Sequence, residues 1–382
     1  MRAARAERVE WIEDLGRFTA IAPEWDRLAE RAGNPFARHA WLAAWWEAFG
    51  QGARPAVCVV WRGGDLAAAL PLAAHRGRLR GWADDHTSVL GLAAADEAAM
   101  AALARAVVAA PQSALVVPAL DAGGHGLAAL GSAAAAAGRR THVEPQHVCP
   151  IVETAGDVAL WRALSKPRWG APLERFGRKM RREHEASFAL VTAPEAALAE
   201  LERGLRVEAS GWKGRAGTAI LSQPETARFY RTVAGAFHER GELRLSSISL
   251  DGRMVAFDLC VLSGGTLYLV KTGFDEQFRR LAPGLVLRLA VVERCFADGI
   301  AAHDLLGGDS GWKRKFATTE RRHACLFAFR TTATGAAGLG YRRVLRPRLR
   351  ELYDRAQRTR ARRGKRPGSD ARGGQPSGAR RR

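Results

Sequence analysis

A short run of residues between two apolar segments has the composition of an anion-binding loop. The segment GFDEQFRRLAPG, residues 273–284, contains Arg279 and Arg280, followed by Pro283 and Gly284 at the predicted start of a helix. Proline suits the first turn of a helix, and glycine lets a ligand approach the backbone closely. The free amides and the positive dipole end of a helix N-terminus then attract phosphate. These four residues are our candidates for a phosphate site. The alternative is a helix start signal with two solvated arginines.

Two acidic residues lie inside predicted strands that are otherwise apolar. Asp258 occurs in MVAFDLCVL and Asp304 in IAAHDLL, where an unpaired carboxylate would be costly. Burial would raise the pKa of either carboxyl group and make it a candidate catalytic base. A structural ion pair with an arginine is the alternative, and we favour it for Asp258. For Asp304 we favour a functional role, because ligands collect at the carboxyl ends of strands in α/β sheets.

Three further residues are candidates because of the segments around them. Lys271 interrupts LYLVKTGF at the end of a predicted central strand, a few residues before the phosphate loop. It is a third candidate for catalysis, although lysines at strand ends also commonly extend into solvent. Trp212 and Lys213, in SGWKG, could close an acceptor pocket, since a tryptophan between small residues can form a stacking wall. Core packing is the alternative for Trp212.

Additional charges follow Asp304 and occur in an earlier basic segment. Asp309, Lys313 and Lys315 could contact an acidic or phosphorylated acceptor, or they could be ordinary charges at the start of a helix. The segment RFGRKMRREHE, residues 175–185, could face a polyanion. A solvated helix face is the alternative for this segment.

The sequence shows neither an activated nucleophile nor a metal-binding pattern. The serines lack a G-x-S-x-G elbow. The ten histidines form no spaced ligand cluster, so we predict no metal site. The cysteines never occur as C-x-x-C, which indicates buried, reduced thiols. They are Cys58, Cys149, Cys260, Cys295 and Cys325.

The elements that must position the candidate residues form a clear pattern between residues 241 and 302. Three runs, ELRLSSISL, MVAFDLCVL and TLYLVKTGF, are typical of strands, and DG and SGG between them are typical of tight turns. The run GLVLRLAVVERCFADG has apolar residues at helical spacing and ends in glycine. IAAHDLL then reads as another strand. The pattern predicts an antiparallel meander, a helix and a further strand.

The same order of elements occurs earlier in the chain. Gly64 and Gly77 flank an apolar run as Gly252 and Gly265 do, and both members of the second pair lie 188 positions later. A helical run, DEAAMAALARAVVAA, and a strand-like run, SALVVPAL, follow in the first copy. The two halves are therefore predicted to share one fold. The first copy has no Pro-Gly pair at its helix start and carries two acidic residues there instead.

This arrangement resembles the acyl-CoA-binding core of the GNAT acyltransferases. More narrowly, SGWKGRAGTAI, LDGRMVAF, TGFDEQFRRLAPGLVL and HDLLGGDSGWKRKF are similar to the CelD-type, BioF-like acetyltransferase domain, and NPFARHAWLAAWWEAFG is similar to the opening of such proteins. The resemblance covers about residues 20–330. That family is related to the FemABX aminoacyl transferases, which have two GNAT-like domains. The loop RLAPG matches the usual GNAT phosphate-loop pattern, Q/R-x-x-G-x-G/A, only approximately.

The resemblance implies an α/β (α+β) fold with two tandem GNAT-like domains, built on mixed, mostly antiparallel sheets flanked by helices. We expect a degenerate N-terminal GNAT-like domain at 1–155, an acyl-donor-binding domain at 156–335, and a basic helix with a disordered Arg-rich tail at 336–382. The implied reaction is N- or O-acetyl transfer from acyl-CoA, the co-substrate, to a small-molecule or saccharide acceptor of the cell envelope. Without a nucleophile, direct attack by the acceptor is the simpler hypothesis, and no tightly bound cofactor is expected. An acyl carrier protein or an aminoacyl-tRNA would be the alternative donor.

The charge of the chain is concentrated at its C-terminal end. From Tyr341 onward, 16 Lys or Arg stand against three acidic residues, which is 13 of the net charge of +20. This segment would suit an anionic membrane surface or nucleic acid, and a packed helix with a solubilising tail is the alternative. Charged residues interrupt the first thirty positions, and no stretch reaches the ~20 apolar residues that span a bilayer. We therefore expect no transmembrane segment and a cytoplasmic protein, peripheral at the inner membrane surface if the tail binds lipid.

Two other functions compete with acyl transfer from acyl-CoA. One is a non-catalytic polyanion-binding protein in which the degenerate loop holds no donor. The other is a FemABX-like transferase that uses aminoacyl-tRNA, which the basic run at 175–185 would suit. The identity of the acceptor, the acyl chain length and the oligomeric state are not determined by the sequence.

Overall fold

The computed structural model describes residues 7–165, 169–190, 194–308, 310–346 and 348–349 of the chain. This part of the chain is a mixed α/β structure with predominantly antiparallel strands, which confirms the predicted fold class. None of its helices combines the length and the apolar content that crossing a bilayer requires. The strands are β1 Glu7–Ile12, β2 Arg54–Pro55, β3 Val57–Arg62, β4 Asp65–Leu70, β5 Leu72–His75, β6 Arg78–Gly81, β7 Ala93–Ala94, β8 Ala114–Asp121, β9 Arg140–Glu153, β10 Ala186–Ala189, β11 Leu243–Leu250, β12 Arg253–Ser263, β13 Thr266–Phe274, β14 Ala302–Asp304 and β15 Thr319–Phe329.

Helices cover both faces of the sheets. The α-helices are α1 Leu15–Ala20, α2 Ala22–Arg31, α3 His39–Phe49, α4 Glu97–Ala109, α5 His125–Ala136, α6 Val158–Ser165, α7 Ala171–Glu183, α8 Pro194–Ser210, α9 Trp212–Arg215, α10 Pro224–Glu239, α11 Pro283–Ala297, α12 Gly311–Phe316 and α13 Ala333–Gly340. Short 3-10 helices occur at Pro35–Ala37, Ile220–Ser222 and Glu276–Leu281, and a π-helical turn occurs at Tyr341–Leu345.

Two sheets organise the molecule. An 11-stranded sheet has the order β10-β11-β12-β13-β14-β9-β15-β8-β6-β5-β2, and a four-stranded sheet has the order β1-β3-β4-β7. Neighbouring strands are antiparallel except in two pairs, β13 with β14 and β6 with β8. Each parallel pair is connected through a helix, α11 in the first case and α4 in the second. This is the strand, helix and strand order that the sequence pattern predicts for each half.

The duplication is visible in the strand register. Arg78 pairs with Ala114 in the first half, and Thr266 pairs with Ala302 in the second, so both partners lie 188 residues later in the second copy. The turns that precede these strands contain Gly77 and Gly265, with φ of 71° and 75°. Only glycine adopts such values without strain. The two halves therefore share one strand register as well as one element order.

Strands β9 and β15 join the two halves into one continuous sheet. The first part of β9 pairs with β15, and its last residues, Ile151 to Glu153, pair with β14. Strand β15, near the end of the chain, inserts between β8 and β9. The domain ranges expected from sequence remain a prediction. Within them, β15 belongs to 156–335 but completes the sheet of the first half.

The halves also share a hydrophobic core. Trp41 of α3 is fully buried and contacts Phe229 of α10 edge-on, with ring centroids 5.2 Å apart. Phe36 contacts Tyr268 of β13 in the same way, at 5.6 Å. All five cysteines are buried and unpaired, as the sequence predicts. Aromatic pairs that cross between the halves therefore help to hold them together.

Candidate active site

The second half has an open helix start beside the end of its meander. After β13 the chain makes a 3-10 helix whose first turn is capped by Asp275, which accepts a hydrogen bond from the Gln277 amide at 2.9 Å. Ala282 then adopts a left-handed conformation, with φ of 50°, and α11 begins at Pro283. The N-cap residue of α11, Ala282, makes no side-chain hydrogen bond to the first amides of the helix. Its positive dipole end therefore faces a space that the chain leaves unfilled.

A cavity of about 570 Å³ occupies that space. It is bounded by the end of β13, the start of α11, and the helices α9 and α12. The lining residues are Glu208, Gly211, Trp212, Lys213, Thr272, Gly273, Phe274, Glu276, Arg279, Ala282, Gly284, Leu285, Ser310, Trp312 and Lys313. Five residues predicted from the sequence thus meet in one cavity: Trp212, Lys213, Arg279, Gly284 and Lys313.

The four residues of the predicted phosphate loop have different positions. Arg279 and Gly284 line the cavity. Arg280 is exposed and is not among the lining residues, and Pro283 is buried as the first residue of α11. A Cβ atom added to Gly284 would meet Phe274 at 3.5 Å, an ordinary contact. The protein itself therefore does not require glycine here, and only an occupant of the cavity would.

On the opposite wall of the cavity, the carboxylates of Glu208 and Glu276 bind neighbouring residues. Glu208 is 3% exposed and receives a hydrogen bond from Lys213 Nζ at 2.9 Å and one from the Ile220 amide at 2.9 Å. Glu276 accepts from the Trp212 amide at 3.0 Å. The Trp212 side chain is 59% exposed, so it does not pack in the core. It lines the large cavity instead, and its predicted role in an acceptor pocket stays a prediction.

Lys271 lies between the two halves of the molecule. Its Nζ atom sits over the ring of Tyr230, 5.0 Å from the centroid. Burial, and secondly the charge of Lys213, lower the pKa of the Lys271 ammonium to about 8, against the pull of Glu208, Asp84 and Asp85. Lys271 therefore does not simply extend into solvent. It is a half-buried amine that is half deprotonated at about pH 8.

A smaller cavity of about 250 Å³ lies on the side of the first half. Asp84 and Asp85 line it, and these are the residues 188 positions before Thr272 and Gly273 of the large cavity. The other lining residues are Arg80, Ala83, Thr87, Ser88, Pro118, Ala119, Gln146, His147, Gly307 and Gly308. The charges of Asp84 and Asp85 act on Lys271, which itself lines neither of these two cavities.

His86 and Tyr230 connect the small cavity to the shared core. His86 Nδ1 is 3.1 Å from the Tyr230 hydroxyl, and its ring stacks on Phe49 at 4.9 Å. Burial lowers the pKa of His86, so its imidazole is neutral in the folded protein near neutral pH. Sequence reasoning missed these two residues and also Asp84, Asp85, Glu208 and Trp312. The 188-residue offset was the one signal that pointed to Asp84 and Asp85.

Asp258 does not reach either cavity. It is fully buried and forms an ion pair with Arg288 of α11, with 2.6 Å between Oδ1 and the guanidinium. Arg288 also donates to His303 Nε2 at 2.6 Å, and His303 donates through Nδ1 to the Leu267 carbonyl at 2.8 Å. Burial raises the pKa of Asp258, and Arg288 opposes that shift. This closed network favours the structural alternative over the catalytic role predicted for Asp258.

Asp304 is likewise enclosed. Its Oδ1 accepts from the Leu306 amide at 2.9 Å, and its Oδ2 receives Arg321 at 3.1 Å. Asp304 does not line either of the two cavities described above. It holds the turn after β14, so the geometry gives it a positioning role rather than the catalytic one that the sequence favours. Burial raises the pKa of its carboxyl group, and Arg321 opposes that shift.

The remaining predicted residues, Lys313, Lys315 and Asp309, do not lie together. Lys313 donates from Nζ to the carbonyls of Leu306 and Gly307, at 2.5 and 2.7 Å, and burial lowers its pKa to about 8. Lys315 is exposed and does not line the large cavity. Asp309 lies outside the described residues.

Comparisons with known proteins agree with this geometry. Residues 171–314 match the family model described as an acetyltransferase (GNAT) domain. The C-terminal DUF2156 domain of a candidate lysylphosphatidylglycerol synthetase from Agrobacterium fabrum has a similar structure, at 13% identity and TM-score 0.53, covering 84% of this chain and 95% of that one. No curated protein matches the sequence.

Two more solved structures are similar at lower scores. FemX is 11% identical, with a TM-score of 0.47, over 74% of this chain and 90% of that one. A tandem GNAT protein from the clavulanic acid biosynthesis pathway is 14% identical, with a TM-score of 0.43, over 86% of this chain and 100% of that one. The match to the GNAT family model covers residues 171–314 of the chain.

Proposed function

We propose that the protein is an acyltransferase that moves an acyl group, acetyl in the first instance, from acyl-CoA to an amine or hydroxyl of a saccharide or other envelope-related acceptor. The observation that supports this most is the 570 Å³ cavity at the uncapped start of α11. Helix amides and the dipole would bind the pyrophosphate of the donor. Arg279 would add a positive charge at the same place.

The edge of β13 suits the acyl carbonyl. Thr272 and Gly273 line the cavity, and β13 pairs with β14 only from Thr266 to Tyr268. Leu259 pairs with Lys271 and Cys260 with Leu269, so β13 has an extra residue just before the cavity. Such bulges re-aim the backbone. Backbone N–H groups on this edge would donate to the carbonyl oxygen as it gains negative charge.

Lys271 would take the proton in this reaction. As the acceptor attacks the thioester carbon, its nitrogen or oxygen loses a proton to the neutral amine of Lys271. The tetrahedral intermediate then expels the CoA thiolate, which is protonated from solvent. Because the pKa of Lys271 is about 8, roughly half of the amine is neutral at pH 8.

The small cavity would hold the acceptor. Its two carboxylates, Asp84 and Asp85, favour a cationic group and so favour an amine over a neutral hydroxyl. Attack requires the free amine, so the ammonium proton would pass to solvent first, and Lys271 would take the second proton as the bond to carbon forms. An amino sugar meets both conditions, because it carries an amine and is one of the saccharide acceptors related to the cell envelope.

The competing functions receive less support from the geometry. The basic run at 175–185 lies mostly in α7, where Arg178 approaches Glu174 to 3.9 Å and Lys179 approaches Glu183 to 3.7 Å. These pairs are typical of a solvated helix face. Most of the Arg-rich tail, from residue 350 onward, lies outside the described residues, so polyanion binding by it remains a prediction.

A thiol-release assay tests the proposal. The protein is incubated with acetyl-CoA and a panel of amino sugars and neutral sugars, and free CoA and acetylated product are measured together. We expect CoA release that depends on an amine-containing acceptor, with product mass increased by one acetyl group. Absence of product with every acceptor, under conditions where acetyl-CoA binding is measured directly, would contradict catalysis and leave donor binding alone.

A further inference from the structure

Three potential metal ligands meet on two neighbouring strands, away from the start of α11. His147 and Cys149 are two residues apart on β9, so both side chains are on one face of the strand. His323 comes from β15, which pairs with β9 and has a register irregularity at this position. One ligand atom from each residue lies within 4.8 Å of the others. The prediction of no metal site considered only ligands close in sequence, whereas Cys149 and His323 are 174 positions apart.

The spacing fits a tetrahedral ion. Cys149 Sγ is 3.6 Å from His323 Nδ1. Zinc bonds of about 2.3 Å to sulfur and about 2.0–2.1 Å to nitrogen place two such ligands roughly 3.5 Å apart at a tetrahedral angle. The imidazoles of His147 and His323 are stacked, with centroids 4.7 Å apart and planes inclined by 22°. Because ring nitrogens bind a metal in the plane of the ring, the His147 ring must rotate out of this stack to become the third ligand.

Neighbouring groups determine which ring nitrogens of the two histidines are free to bind a metal. His147 Nε2 is 2.8 Å from the Ser88 carbonyl, which can only accept, so Nε2 carries the proton and Nδ1 keeps a free electron pair. A second-shell carbonyl of this kind orients metal-binding histidines. His323 is 2% exposed, and within the described part of the chain its Nε2 has no hydrogen-bond partner. An ion beside Cys149 would take His323 Nδ1, which leaves the proton on Nε2.

The two cationic side chains near the cluster have other partners. Arg321 is bound to Asp304, and Lys313 is bound to two backbone carbonyls. His147 also lines the 250 Å³ cavity, so water can reach the cluster as a fourth ligand. We propose that His147, Cys149 and His323 bind a zinc ion with one water. The ion would link β15 to β9, where β15 completes the sheet of the first half.

A cobalt titration tests the site without relying on activity. The full chain is treated with a chelator, dialysed and titrated with Co²⁺, because a cobalt–thiolate bond gives a charge-transfer absorption and a tetrahedral site gives intense visible bands. We expect both signals to saturate at one equivalent. Cys149→Ser should lose the charge-transfer band, while Cys325→Ser, at a buried cysteine of β15 outside the cluster, should keep it. A wild-type protein with no thiolate band would overturn the proposal.

A second measurement guards against a variant that does not fold. The thermal midpoint of the metal-free wild-type protein is followed at increasing zinc, with magnesium as the ion control. Binding to the folded state alone raises the midpoint with each tenfold increase in zinc above Kd. His147→Ala, at the least buried ligand, should bind zinc at least tenfold more weakly. A midpoint that is independent of zinc would mean that Cys149 and His323 form an ordinary thiol–imidazole hydrogen bond.

Discussion

The first and second halves of the molecule begin their central helices differently. Helix α4 is capped by Asp96, whose carboxylate accepts from the Ala99 amide at 2.8 Å. Helix α11 has no side-chain cap, and its second residue is Gly284. One helix start is thus satisfied by the protein's own anion, and at the other we propose that a phosphate of the acyl donor takes this place. A duplicated scaffold can keep one binding site and close the other by changing a few residues at the helix entrance.

The strands of the two halves also differ, at the positions of two candidate residues. Asp258 and Lys271 in the second half correspond, 188 residues earlier, to Leu70 and Ala83. Leu70 and Ala83 are buried apolar residues, at 0% and 2% exposure. The first half therefore has an ordinary core where the second half has a buried ion pair and an enclosed lysine. From this difference we expect Asp258 to contribute to stability and Lys271 to contribute to the reaction.

The buried ion pair should give the largest effect on stability. Asp258→Leu, which introduces the residue of the first half, leaves Arg288 buried without its carboxylate. Breaking such a pair costs about 3–5 kcal/mol, which we expect in the free energy of unfolding measured with denaturant. The double variant Asp258→Leu/Arg288→Met should recover most of the loss. If Asp258→Leu kept full stability and abolished activity, Asp258 would be catalytic after all.

Replacing Lys271 should affect the reaction more than the fold. We expect Lys271→Met to lower kcat by about 100-fold, the lower range for loss of a general base. In the wild-type protein kcat should rise between pH 7 and 9, because the lysine pKa of about 8 makes the neutral amine more abundant as pH increases. The variant should lack this rise. A wild-type profile that is flat through pH 8 would exclude Lys271 as the base.

The open helix start can be closed with one side chain. Gly284→Val would place a branched side chain in the cavity, and we expect acyl-CoA affinity to fall by about 30-fold, or ~2 kcal/mol. The matched control is Ala98→Val, at the exposed second residue of α4, which should not change affinity. Equal thermal midpoints of the two variants would show that the loss is local. Unchanged acyl-CoA binding by Gly284→Val would remove the helix start from the donor site.

Much of the fold was predictable from local patterns. The meander from 243 to 274 and the helix after Pro283 are marked by alternating apolar residues and turn glycines, and the structure has them at those places. The 188-residue repeat was detectable from two glycine pairs and is confirmed by strand register. The insertion of β15 between β8 and β9 was not predictable, because strand pairing over some 200 residues leaves no local signal.

The candidate residues that lie in loops could be predicted from the sequence. Those at the contact between the two halves could not. Arg279, Gly284 and Trp212 were found because proline, glycine and tryptophan mark unusual local positions. Glu208 and Tyr230 belong to α8 and α10, whose periodic sequences indicate helix faces but not which face meets a cavity. Whether Asp258 and Asp304 are catalytic depended on their partners, and Arg288 and Arg321 are distant in sequence.

We propose that the second half alone binds the acyl donor, at the start of α11. The most direct test is calorimetric binding of acetyl-CoA to the full chain and to two variants, Arg279→Ala in the cavity wall and its exposed neighbour Arg280→Ala. We expect micromolar binding by the wild-type protein, at least tenfold weaker binding by Arg279→Ala, a loss of about 1.4 kcal/mol, and little change in Arg280→Ala. Absence of acetyl-CoA binding by the wild-type protein, or equal losses in both variants, would contradict the claim.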